Sequence, residues 1–214
     1  IINNILMTDP KKITGKIVNY DSTIIGDIYF NKNIVKIENN TSKEYNNIII
    51  PGFVDLHCHG GGSYDTMDGY KSIVGMSNYH LMHGTTSIMP TTWTNTFEET
   101  YNALNGFNKI KEENLNILGI HLEGPFINPN KLGAQPDLTQ KPSLEFVKKL
   151  CDIADIKIIT IAPEIEGMNS FIEDVSKLNI KIQFGHTLAD YNCCELIMNN
   201  YDIGFTHLYN AMSG

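Results

Sequence analysis

The stretch IIIPGFVDLHCHGGG, residues 48–62, decides how the rest of the chain is read. An apolar run with strand character places His57 and His59 one residue apart and then dissolves into glycine. Successive side chains of a strand point to opposite faces, so the two imidazoles fall on one side and can grip one object together. Cys58, between them, points the other way.

Downstream, the same rhythm recurs. GFVDLH (52–57) precedes a helical pattern near 70–83, TTSIMPTT (85–92) one near 96–113, and NILGIHLEG (116–124) one at 143–151. IKIITIAP (156–163) precedes a pattern near 168–178, KIQFGH (181–186) one near 189–199, and DIGFTH (202–207) closes the series. Strands alternating with helices predict right-handed βαβ units and a parallel sheet. The expected fold is therefore α/β, a (β/α)8 TIM-like barrel in which only about six of the eight units are present. Such a barrel takes about 250 residues, so a chain that stops at HLYNAMSG reads as a fragment of a longer enzyme.

Upstream, KIVNYDSTIIGDIYF (16–30) and KNIVKIENN (32–40) alternate apolar and polar residues between Gly, Asn and Asp, the pattern of small antiparallel strands. The chain thus divides into residues 1–50, expected to be part of a small β-sandwich domain, and residues 51–214, the barrel portion.

Composition narrows the partners. The formal charge is −8, and every one of the sixteen basic residues is lysine. A nucleic-acid partner needs a basic stripe, which is missing. Without arginine, no bidentate fork for phosphate is available here. The four cysteines, Cys58, Cys151, Cys193 and Cys194, follow neither zinc-finger nor disulfide-framework spacing. With no signal peptide and no long apolar span, the expected setting is the cytoplasm, away from membranes.

Parallel α/β barrels place their chemistry at the C-terminal ends of the strands. Here those ends carry His57 with His59, Glu123, His186 and His207. Imidazole and carboxylate suit Zn, Fe, Mn or Co. Convergence of the five on one rim would hold one or two divalent ions. A histidine at a single strand end is ordinarily structural, a reading that weakens when the position recurs strand after strand.

The blocks PGFVDLHCHG (51–60), GTTSIMPTT (84–92), HLEGPFINPNKLGAQPD (121–137), APE (162–164), FGHT (184–187) and HLYNAM (207–212) carry a resemblance spanning practically the whole chain. In their identity and order the sequence resembles the amidohydrolase superfamily and, within it, the N-acetylglucosamine-6-phosphate deacetylases. The resemblance implies metal-dependent hydrolysis of the acetamide on a phosphorylated amino sugar. It implies that Glu123, His186 and His207 hold the principal metal, and that His57 and His59 add a second ion bridged by Glu123. Some relatives lack the HxH pair and use one metal; this chain keeps it, so a binuclear site is expected. By the same match Ala134, Gln135, Asn210 and Ala211 are expected substrate contacts. Gln135 stands where some relatives carry a histidine that polarises the acetyl carbonyl, a role a neutral amide N–H can also fill; the plainer alternative is an exposed loop glutamine. The family's general acid/base Asp and its phosphate-binding residues would lie beyond residue 214. The isolated fragment is therefore expected to be inactive, and the full-length protein to be a homodimer. Other readings are a deacetylase for the galactosamine epimer, a cyclic amidase, or a non-catalytic metal-binding remnant completed by a partner chain.

Three histidines receive plainer readings. His80 and His83 sit near a helix C-terminus, where capping is their common use. His121 shares a strand face with Glu123 and reads as interior packing, with a role beside the metal as the alternative. The loop GGGSYDTMDG (60–69) lacks the P-loop pattern and either admits substrate close to the backbone or simply supplies turn geometry.

Overall fold

A computed structural model of the chain describes residues 9–40, 45–113 and 116–213. The chain divides into two compact units, Ile1–Gly52 and Phe53–Gly214.

The first unit is one four-stranded sheet. β1 (Lys11–Val18), β2 (Thr23–Phe30) and β3 (Ile34–Asn39) form the antiparallel meander that the alternating sequence predicts, and the short β4 (Ile48–Ile49) joins β1 in parallel. The parallel strand departs from the all-antiparallel expectation. A second sheet layer is not present among the described residues. Gly15 and Gly26 face each other across β1 and β2, where a Cβ on Gly26 would lie 2.3 Å from the Glu38 carbonyl oxygen. Asp27, 4% exposed, sits among the Thr14 hydroxyl, Lys12 Nζ (3.1 Å) and Asn40 Nδ2 (3.2 Å). The Thr14 hydrogen bond does most to pull its carboxyl from the ordinary 3.8 down to about 2; burial opposes, and Lys12 and Asn40 add to the fall.

The second unit strings six parallel strands in chain order. β5 (Phe53–Cys58) is followed by a two-residue hairpin, β6 (Gly60–Gly61) and β7 (Tyr64–Asp65), then by helix α1 (Tyr70–Met82). β8 (Thr85–Pro90) leads to α2 (Phe97–Leu104) and α3 (Phe107–Glu113), and β9 (Ile120–Glu123) to α4 (Leu144–Cys151). β10 (Ile156–Ile161), α5 (Met168–Ser176), β11 (Lys181–Phe184), α6 (Tyr191–Met198) and β12 (Ile203–Phe205) complete the series. β5 pairs with β8, and β9 to β12 form a second parallel sheet in sequence order. Single parallel bridges at Ile88–Ile117 and Thr91–His121 link the two, so neighbours in sequence are neighbours in space. These sheets are open.

The one long helix expected over 96–113 is two, because Asn105 is extended and Gly106 takes φ 87°. Thr96, Ser143 and Asp190 cap α2, α4 and α6 by accepting from Glu99 N, Phe146 N and Cys193 N, which satisfies donors that each helix start leaves open.

Ile88, Ile120, Leu122, Ile159, Ile161 and Phe184 from the strands pack against Met76, Phe107, Leu150, Phe171 and Val175 from the helices. Phe126 lies edge-on to Phe146 (5.4 Å) and to Phe171 (5.0 Å), fastening the loop after β9 to α4 and α5. This core fixes the strand ends that carry the site.

Two outcomes are expected. Ile159→Ala empties a fully buried position in the middle of β10 and should lower stability by about 2–5 kcal/mol in urea denaturation. Asp27 has a folded-state pKa below its unfolded one. It therefore contributes stability above about pH 4, which is lost as pH falls through about 2. Thermal melts of the wild type and Asp27→Asn between pH 6 and pH 2 should converge at the acid end.

Candidate metal centre

Each strand end delivers one part of the site. β5 and the residue after it present His57 and His59, β9 ends on Glu123, and His186 and His207 follow β11 and β12 by two residues. Glu123 is 1% exposed, and its carboxylate is the common point. Oε1 lies 3.1 Å from His186 Nε2, 3.1 Å from His207 Nε2 and 3.7 Å from His57 Nε2. Oε2 lies 2.9 Å from His59 Nε2. The two triads His57–His59–Glu123 and Glu123–His186–His207 each bring their donor atoms within 4.8 Å of one another, an arrangement that can hold a metal ion.

Backbone conformation contributes to this convergence. His186 and His207 adopt φ of 51° and 34°, and Ala211 51°, in the left-handed region that non-glycine residues rarely occupy. Strain of this kind persists where surrounding structure over-determines it, commonly at functional sites. Here Asn128 N donates to His186 O (2.9 Å) and Asn210 N to His207 O (2.9 Å), holding both turns.

The ring orientations identify which atoms face the centre. His59 Nδ1 lies 3.1 Å from Thr91 O and His186 Nδ1 2.8 Å from Lys131 O. A carbonyl only accepts, so each Nδ1 carries the proton. In the neutral ring the Nε2 lone pair then points at the Glu123 carboxylate, itself an acceptor. Two lone pairs aimed at one anion are stable when a cation, or an added proton on each ring, lies between them. The donor set thus fits a divalent ion by its own chemistry.

Burial alone would raise the Glu123 pKa. With a proton added at Nε2, His186, His207 and His59 donate to the carboxylate, and these hydrogen bonds outweigh burial and hold the carboxyl well below the ordinary carboxylate range. His207 moves up, chiefly through its bond to Glu123, whereas burial pushes His57 down.

His121 is not among the converging donors. Its Nδ1 contacts Leu56 O (3.1 Å) and His57 Nδ1 (3.3 Å), and its Nε2 accepts from the Thr160 hydroxyl (2.7 Å). Burial first, then the neighbouring His57, lowers its pKa to about 3, so it stays neutral. It packs the interior and steadies His57. His83 Nδ1 turns back to Tyr79 O (2.8 Å) as a helix-end cap, but His80 Nε2 instead meets Gly60 O (3.1 Å) and Cys58 Sγ (3.3 Å).

Gln135 is no exposed loop glutamine. It is 6% exposed, its Oε1 accepts from Thr94 N (2.6 Å) and its Nε2 donates to Glu123 Oε2. Ala134 is exposed beside it, and Gly133 brings this loop close to Ala211 Cβ and the His186 ring. The Asn210 amide is engaged with His207 O rather than presented outward, and its side chain is exposed.

Two contributors were not singled out in the sequence. Glu164, in the APE segment, accepts from Asn128 Nδ2 (2.8 Å), Leu188 N (2.6 Å) and the Thr187 hydroxyl, binding together the loops after β9, β10 and β11. Trp93 stacks on His59 with ring centroids 3.6 Å apart. A carboxylate three residues past an apolar strand was the available signal for Glu164; Trp93 offered none.

Comparison with known proteins finds relatives of one kind. N-acetylglucosamine-6-phosphate deacetylase of Bacillus subtilis is 38% identical over 176 residues, which is 78% of this chain and 44% of that protein. The structure of N-acetylglucosamine-6-phosphate deacetylase from Thermotoga maritima superposes with a TM-score of 0.83 at 27% identity, over 95% of this chain and 56% of that one. The Mycobacterium smegmatis deacetylase, solved in complex with N-acetyl-D-glucosamine-6-phosphate, shares the fold with a TM-score of 0.84 at 24% identity, over 95% of this chain and 57% of that one. The chain spans about half the length of these relatives. The sequence model of the Amidohydrolase family matches residues 48–214, the whole strand–helix series together with the five converging side chains, and the chain belongs to that family.

Proposed function

We propose that these residues form the metal-holding part of a deacetylase that hydrolyses the acetamide of N-acetylglucosamine 6-phosphate, releasing acetate and glucosamine 6-phosphate. The observation that carries this reading is the buried Glu123 carboxylate ringed by imidazoles from three other strand ends. The named relatives supply the substrate. The second unit then corresponds to six of the eight units of a (β/α)8 barrel, and the first to part of a small β domain.

His57, His59 and Glu123 would hold one divalent ion, and Glu123, His186 and His207 another, with Zn, Fe, Mn or Co suited to the donors. When bound, a divalent ion supplies Lewis acidity, which makes water a competent nucleophile near neutral pH and polarises an amide carbonyl. The protein's own groups do the rest. Glu123 stays ionised and fixes the imidazoles around one point. Gln135, anchored through Oε1 on Thr94 N, gives one N–H to Glu123; in this reading its second N–H would be the donor to the acetyl carbonyl. Ala134 and Asn210, both exposed, and Ala211, close to Gly133, would add the remaining substrate contacts in this reading. Proton transfer from water to the departing amine needs a further acid/base group, which this reading assigns to an Asp of a longer protein, as it does the phosphate-binding groups and a homodimer interface. All four cysteines are unpaired, which suits a reducing cytoplasm.

Metal analysis of the purified chain after loading with Zn2+ should give close to two ions, and His57→Ala should lose one and keep the other. A chain that binds no divalent ion would sink the reading. Acetate release should be absent from the 214-residue chain and present in the longer protein, with N-acetylglucosamine 6-phosphate preferred over its galactosamine epimer. In that longer enzyme Gln135→Ala should lower kcat by about 10- to 100-fold, the effect of losing one hydrogen bond of about 1.5–3 kcal/mol to a charged or developing-charge group. Unchanged turnover would exclude Gln135 from the reaction.

A further inference from the structure

The His57–His59 side of the centre carries a device that the other side lacks. Trp93, the only tryptophan in the chain, lies flat on the His59 ring, with centroids 3.6 Å apart and planes 13° from parallel. Its indole N–H donates to Asp65 Oδ2 at 3.0 Å. Asp65 is itself fixed: its other oxygen accepts from Met67 N (2.8 Å), and its own amide donates to Ser72 Oγ (2.8 Å). The loop closes once more on the histidine, because Thr66 N (2.8 Å) and the Thr66 hydroxyl (2.9 Å) both donate to His59 O. The ring is thus held at Nδ1 by Thr91 O, on one face by Trp93, and at its backbone by Thr66. The contacts of His186 and His207 with other rings are edge-on, with no flat partner on either among the described residues.

The stack discriminates between the empty and the loaded states. An imidazole whose Nε2 lone pair is drawn toward a cation becomes electron-poor, while an indole presents an electron-rich face and attracts such a ring. A carboxylate accepting the indole N–H adds to that richness. The contact is therefore stronger when His59 holds a cation than when it does not, and a ligand is favoured by its differential interaction with the two states. A merely structural stack would favour both equally.

We propose that Trp93 and Asp65 form a positioning pair that selectively raises the divalent-cation affinity of the His57–His59–Glu123 triad. This rests on the reading of the cluster as a metal centre and names a determinant of how fully it loads. The Gly-rich stretch 60–69 accordingly serves as a clamp on His59.

The test uses the full chain stripped of metal and titrated with Zn2+, following calorimetry and tryptophan emission together. The wild type should bind two classes of ion, one of which changes the emission of Trp93. Trp93→Phe keeps an aromatic face and loses the N–H anchor; Asp65→Asn keeps an acceptor and loses the charge. Each should weaken one class of site by about 10- to 100-fold, the usual effect of removing a group that supports a ligand, and leave the other within about twofold. In Asp65→Asn the emission change should move to the same higher Zn2+ concentration. Affinities unchanged in both variants would overturn the proposal. Equal weakening of both classes, or loss of fold in both variants, would mark general loosening and overturn it too. A wild type that binds no Zn2+ would fail earlier, at the metal centre itself, and so is told apart from failure of the clamp.

Discussion

A carboxylate with 1% of its surface exposed is the constraint around which the second unit is organised. Removing an ion from water costs several kcal/mol unless partners replace the hydration shell. Glu123 recovers that cost through three imidazole contacts at 2.9–3.1 Å and the Gln135 amide, while its backbone N–H, donating to the Thr92 hydroxyl at 3.3 Å, fixes its place on the strand. These groups come from β5, β11, β12, the loop after β8 and the loop after β9. No one βα unit could bury that charge, and loss of one partner leaves the others around an under-compensated anion. The site is thus a cooperative property of the whole strand series.

That cooperation needs the strand ends to be level and rigid. β9, β10 and β11 pair in parallel register, with Thr160 opposite Glu123 and Phe184 opposite Ile161. Beneath the ring of donors a polar layer links the strands sideways: His121 to Thr160 (2.7 Å), Thr160 to Thr206 (2.7 Å), and Thr206 to Gln183 (2.7 Å). Below that layer the interior is apolar. Glu164 performs the same service above the strands, tying three loops through one carboxylate. The left-handed turns at His186 and His207 are held between these two layers.

The strand series, its order and the five converging side chains were legible in the sequence because each rests on a local pattern. An apolar run of strand length ending in His or Glu is visible without knowing its neighbours. What escaped depends on pairings between distant segments. Gln135 and Thr94 are separated by two helices, a strand and the loops between them, and nothing local announces that one amide will bridge a backbone N–H and a carboxylate. The same holds for Trp93 with Asp65, and for His80, which looked like a helix cap but reaches back to Gly60 and Cys58. Periodicity ran on through Asn105–Gly106, so the break between α2 and α3 was hidden beneath a helical pattern that one left-handed glycine interrupts. The parallel placement of β4 likewise depends on which edge of β1 remained open.

The alternation that opened the reading also decides the chemical softness of the centre. Three consecutive residues, His57, Cys58 and His59, offer two imidazoles and one thiol, and a cation would respond very differently to each. Because the backbone stays extended, the imidazoles turn toward Glu123 while Cys58 Sγ turns to Gly60 O (3.2 Å) and His80. Burial there raises the thiol pKa, which keeps it protonated and a poor ligand. Slipping β5 by one residue would exchange the faces, bringing sulfur to the carboxylate and carrying both histidines away from it. Pairing of β5 with β8, the Cys58 N–H bond to Thr91 Oγ1 (2.9 Å) and the Thr91 N bond to Cys58 O (2.8 Å) oppose that slip at the residue where it would matter. Strand register, more than the inventory of donors, is what makes this a nitrogen–oxygen site.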